Sequence, residues 1–81
     1  TGLKEYATPE RLALRDEIEA TISAAIEALP EELRTAITLR EFEGLSYEEI
    51  AAAMECPIGT VRSRIFRARE AIEAKLAPLL D

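Results

Sequence analysis

Apolar positions recur along this chain at intervals of three and four, the repeat of helices buried on one side. Thr8-Pro9-Glu10 supplies a start: a capping hydroxyl, a proline in the first turn and an acid set against the helix dipole. Leu14, Ile18, Ile22, Ala25, Ile26 and Leu29 follow on the repeat and predict an amphipathic helix over 9–28, interrupted by Pro30. Pro30-Glu31-Glu32 restarts a helix over 31–43. Its Leu33, Ala36, Ile37, Leu39 and Phe42 are apolar nearly all round, which predicts a central position, and Gly44 is placed to end it in the left-handed region. Ser46-Tyr47-Glu48-Glu49 has the spacing of a capping box and opens a short helix over 46–54, with Tyr47, Ile50, Ala51 and Met54 on one side. Pro57 breaks that pattern and begins the last helix, 57–76, striped by Val61, Ile65, Ala68, Ile72 and Leu76 and closed by Pro78.

The expected fold is therefore all-α, a compact four-helix domain over 9–81 with a C-terminal helix-turn-helix, preceded by a linker remnant at 1–8. The pair 46–54 and 57 onward has the proportions of that motif: a short helix, a tight turn, a longer helix. Many such turns carry Gly where this chain has Glu55. Leu33, Ile37, Ile50, Met54, Val61, Ile65 and Ile72 are the expected core.

Composition narrows the function. With 48% hydrophobic residues the chain is too apolar for an acidic disordered segment. The absence of His excludes histidine triads and histidine metal sites, and one Cys forms neither an internal disulfide nor a thiolate cluster. No apolar run approaches a membrane span, and residues 1–8 carry no apolar signal region. These features describe a soluble, cytoplasmic helical unit that is not an enzyme, with no cofactor, metal, small-molecule substrate or direct membrane insertion expected.

A net charge of −6 argues at first against a nucleic-acid partner, but the charge is unevenly placed. Residues 1–56 hold 5 basic and 13 acidic residues, and residues 57–81 hold 5 and 3. Arg62, Arg64, Arg67 and Arg69 fall in eight residues with no acid among them. The local field at a contact face governs docking, so an acidic body with one basic helix still suits DNA.

Projecting the last helix at about 100° per residue puts Val61, Ile65, Ala68 and Ile72 on one side and Ser63, Phe66 and Glu70 on the other. Arg62 and Arg69 flank that outer face on one edge, Arg67 and Arg64 on the other. Phe66 either packs under a neighbouring segment or protein, or meets a thymine methyl or sugar edge in a major groove. Pro57, Ile58, Gly59, Thr60, Arg62 and Ser63 occupy the end of the helix that usually reads bases. Arg40 has two roles open to it, an ion pair with a nearby Glu or a phosphate contact. Cys56, in the turn, is expected as a small filler.

The strings Leu29-Pro30-Glu31-Glu32-Leu33-Arg34, then Leu39 through Ala51, then Cys56 through Arg69 resemble region 4 of bacterial extracytoplasmic-function sigma factors, most nearly the sigma-E/AlgU envelope-stress branch. The resemblance runs from about Leu29 to Leu80, and GTVRSRIFRARE is its most specific part. It implies a domain that recognises the promoter −35 element, GGAAC-like in this branch, for RNA polymerase. It also implies docking on the flap of the polymerase β subunit and sequestration by an anti-sigma factor. Carried onto this chain, its DNA contacts are Arg40, Pro57, Gly59, Thr60, Arg62, Ser63, Phe66 and Arg67. Region 2 of such factors, which binds the −10 element, has no counterpart here. Two rivals remain: the output domain of another helix-turn-helix regulator, and a helical protein-interaction module.

Overall fold

The computed structural model describes residues 8–80. Apart from Thr8, the expected linker at 1–8 lies outside the described residues. Among the described residues there are four helices and no strand: α1 (Pro9–Glu27), α2 (Glu31–Glu41), α3 (Tyr47–Met54) and α4 (Ile58–Leu80). The all-α, four-helix expectation holds.

Local chemistry explains each boundary. Thr8 caps α1, its Oγ1 accepting from Arg11 N–H at 3.2 Å, with Pro9 in the first turn. Pro30 stops α1 from running on, and its carbonyl accepts the first bond of α2, from Arg34 N–H at 3.0 Å. The Arg34 guanidinium reaches back to the free Glu27 carbonyl at the end of α1, at 3.1 Å. Ser46 and Glu49 form the capping box of α3 in both directions, at 3.1 and 2.8 Å. Pro57 stands just before α4, and its carbonyl accepts from Thr60 and Val61 N–H.

The helix-turn-helix turn is a Schellman closure. Cys56 N–H donates to the Ala51 carbonyl at 3.0 Å and Glu55 N–H to that of Ala52 at 3.3 Å. Glu55 itself lies at φ 51, ψ 51. A left-handed residue is what the turn needs, and this chain meets the need with a side chain that resists it. Gly44, at φ 69 after α2, fills the equivalent place with a residue that adopts it freely.

α4 packs on each of the other three helices. Its buried residues are Val61, Ile65 and Ala68, which meet Leu29, Ala36, Ile37 and Ile50 in one cluster. Ala36 and Ala68 have no exposed surface, so α2 and α4 approach closely with little side chain between them.

Five details differ from the sequence-based expectation. Leu33, Met54 and Ile72 pack against the core from its margin, and the alanines Ala25, Ala36 and Ala68, with Leu29, are buried instead. The three alanines stand on the apolar stripes read from spacing, but the expected core passed over them in favour of larger residues. Leu14 lies on the predicted side of α1 yet is 43% exposed, because α1 begins beyond the core: residues 9–17 are all exposed. Phe42 is 67% exposed. It stands about 140° around the helix from Ile37, so α2 is apolar on more sides than it buries. α2 closes at Glu41, two residues early, with Phe42 as its C-cap. Lastly, α4 passes through Pro78 to Leu80. A proline there removes one bond, to the carbonyl of Ala74, and both Ala74 and Ala77 are exposed, so water replaces it.

Ile65→Ala should lower stability by about 2–4 kcal/mol through lost transfer energy and a cavity, since Ile65 is 1% exposed at the centre of the cluster. An unchanged urea midpoint would mean the buried side of α4 is misassigned. Glu55→Gly should act in the opposite direction, raising stability by about 0.5–1 kcal/mol as the left-handed strain is relieved against the extra chain entropy of glycine. A lower melting temperature for that variant would show that the Glu55 side chain contributes more than its backbone costs.

Candidate nucleic-acid interface

The face of α4 opposite its core carries the sequence-predicted residues outward. Arg62, Ser63, Phe66 and Arg67 are all exposed, as are Pro57 and Gly59 at its start, and Thr60 is half-buried. Phe66 is 66% exposed. Packing under another of the described segments is thereby removed as an account of it.

Gly59 is informative for what surrounds it. A Cβ built there meets nothing within 4 Å, and its backbone does not lie in the left-handed region. No internal contact or conformation requires glycine in the first turn of α4. The bare backbone is exposed at the surface.

The four arginines of α4 divide into two pairs. Arg64 turns back toward the body: its guanidinium donates to Cys56 Sγ at 3.6 Å and lies 3.5 Å from a Glu32 carboxylate oxygen. Arg69 donates to Glu41 Oε1 at 2.6 Å. That hydrogen bond to Glu41 is the main cause raising the Arg69 pKa, with a smaller contribution from Tyr47. Arg62 and Arg67 form no ion pair with the described residues. Helical spacing placed all four on the edges of one face without distinguishing them, and only the family resemblance singled out Arg62 and Arg67. The acids that hold two of them, Glu32 and Glu41, come from α2, so the division follows from helix packing.

Arg40 joins the site from α2. It is half-buried, donates to the Leu45 carbonyl at 2.9 Å and lies over the Tyr47 ring at 4.9 Å from its centroid. Its partners are thus a carbonyl and an aromatic face, where the sequence suggested a carboxylate as one option. With Arg62, Ser46, Tyr47, Glu48 and Ile58 it lines a shallow depression of about 300 Å³. Two guanidinium groups and the amino end of α3 meet there beside the single Glu48 carboxylate, and the cations outnumber the acid, which suits a phosphate. Tyr47 was assigned by periodicity to the buried side of α3. Its further task, holding Arg40 at the rim, was not visible because Arg40 belongs to another helix.

An exposed aromatic stands between two arginines that make no ion pair among the described residues, on the second helix of a helix-turn-helix, and this arrangement suits a major groove. Residues 19–72 match the family described as Sigma-70, region 4. The chain belongs to that family. It is 70% identical over 79 residues to the RNA polymerase sigma-H factor of Pseudomonas aeruginosa, an alignment covering 98% of this chain and 41% of that protein. It is 64% identical, over the same shares, to the ECF RNA polymerase sigma-E factors of Salmonella typhimurium and Escherichia coli K12. The chain therefore spans well under half the length of these relatives, and the region 4 match accounts for the helices that carry the outer face. No helix among the described residues is long and apolar enough to cross a membrane.

The cap of α3 gives this region 4 domain a pH dependence. The backbone N–H of Ser46, with its hydroxyl, holds the Glu49 carboxyl below the usual range. A carboxylate with a depressed folded pKa stabilises fully above its unfolded pKa and loses that contribution as pH falls through the folded one. Melting temperatures taken from pH 7 down to pH about 3 should therefore fall further for the natural chain than for Glu49→Gln, which keeps an accepting oxygen without the charge. Parallel curves would remove Glu49 from the acid response.

Proposed function

We propose that this chain is the −35-recognition domain of a sigma factor, reading promoter DNA for RNA polymerase in transcription initiation. One observation carries this: Arg62, Ser63, Phe66 and Arg67 stand outward together on α4, in a chain belonging to the region 4 family. α4 enters the major groove with its amino end. Pro57, Gly59 and Thr60 lie closest to the base edges, and Phe66 supplies an apolar contact to a thymine methyl or sugar. Arg62 and Arg67 reach phosphate or a guanine edge. Arg40 and the amino end of α3 hold a backbone phosphate in the depression beside them, which sets the register of α4.

The remaining affinity comes from the holoenzyme. An acidic chain with few free cations binds DNA weakly alone, and attachment to polymerase raises the effective concentration of promoter. Docking on the flap of the polymerase β subunit supplies that attachment. Phe42, exposed at the end of α2 and outside the DNA-facing set, suits such a protein contact. An anti-sigma factor that covers the outer face of α4 would compete directly with DNA. These partners place the protein in the cytoplasm. A dimeric regulator binding a palindrome is less favoured, because the relatives it matches are sigma factors.

Paired titrations of a GGAAC-type −35 duplex and a scrambled duplex, at several salt concentrations, test the proposal. Phe66→Ala should melt close to the natural chain and weaken the −35 duplex more than the scrambled one. Arg40→Ala should weaken both about equally and lower the salt slope by about 0.9, the effect of one phosphate contact. A Phe66→Ala variant that unfolds yet keeps its discrimination would contradict the assigned face. If both variants bind DNA normally while failing to bind protein partners, the interaction-module alternative is the better one.

A further inference from the structure

Glu41, the last residue of α2, has no part in the function proposed above, and Arg69 lies on the arginine-rich helix but outside the assigned contact set. The two meet across 28 residues of sequence, Nη2 to Oε1, at 2.6 Å. Both remain about half exposed, 47% and 48%. Exposed pairs of this kind add little to stability, so the fold alone gives weak reason for it.

Position on α4 gives a stronger one. Arg69 follows Arg62 by seven residues, two helical turns along the same edge, and follows Phe66 by three. Without Glu41 it would extend the basic edge by a further turn toward the DNA backbone. With Glu41 bound, Arg69 is neutralised, and the exposed Glu70 beside it leaves that turn acidic. Reaching for a phosphate would cost Arg69 its charge-assisted bond and leave the Glu41 carboxylate facing a polyanion. Arg62 and Arg67 carry no such restraint.

We infer that Glu41 withholds Arg69 from the DNA backbone, and so ends the DNA-contacting face of α4 one turn short of where its arginines end. The inference rests on the DNA-binding function proposed above. Its effect is to restrict sequence-independent affinity. A phosphate contact strengthens binding to every sequence, whereas base contacts separate one sequence from another. Limiting the first leaves recognition dependent on Phe66 and its neighbours and on attachment to polymerase.

Four chains test this: the natural sequence, Glu41→Gln, Arg69→Gln and the double variant, each titrated with −35 and scrambled duplexes across a salt series. Thermal melts accompany each to confirm folding. Glu41→Gln should bind both duplexes about five- to tenfold more tightly at ~0.1 M salt and steepen the salt slope by about 0.9, the signature of one added phosphate contact. Arg69→Gln and the double variant should keep the natural slope. The inference is overturned if the double variant keeps the steeper slope, since the gain then comes from removing an acid and not from freeing Arg69. It is equally overturned if Arg69→Gln alone flattens the slope, which would make Arg69 a DNA contact despite Glu41. Failure of the natural chain to prefer the −35 duplex is a separate result. It counts against the promoter reading while the slopes on scrambled duplex still decide the role of Glu41. A natural chain that binds neither duplex ends both.

Discussion

The buried side of α4 is the constraint from which the rest follows. Val61, Ile65 and Ala68 are held against residues of the loop after α1, of α2 and of α3, so rotation of α4 about its own axis is prevented by close packing. Because that rotation is fixed, the outward direction of Ser63 and Phe66 is fixed with it. A recognition surface made of a few side chains on one helix depends wholly on how that helix is seated. The alanines matter here as much as the larger residues: Ala36 and Ala68 set a short separation, which makes the seat specific.

Much of this was legible from residue spacing. The capping box at Ser46, the prolines at 9, 30 and 57, and the stripe on α4 are local signals, and each marks an element that the structure contains. The outward placement of Phe66 follows from the same arithmetic. What spacing does not convey is how far a neighbour extends. Leu14 and Phe42 repeat correctly and remain exposed, one because α1 outruns the core and one because α2 turns it away. The pairing of Arg64 with Glu32 and of Arg69 with Glu41 was hidden for a related reason, since ion pairs between helices depend on packing that no single helix encodes.

Charge and fold thus act at different ranges. The net charge of −6 describes the whole chain, but the surface presented by α4 is set by which acids its packing brings near. Among the described residues two of these arginines are in ion pairs and two are not, and the paired ones are the member of each edge nearer the buried side, within reach of Glu32 and Glu41. An acidic protein can therefore carry a basic contact surface of limited extent, with its edges drawn by neighbouring carboxylates.

The empty space around Gly59 has a consequence for substitution there. In most positions of so small a domain a damaging substitution acts by unfolding the chain, and the cell then removes it. At Gly59 a side chain meets no internal obstacle, and most residues favour a helix more than glycine does. A side chain added there changes the outer surface of α4 without disturbing the packing beneath it, so shape at this position varies independently of stability.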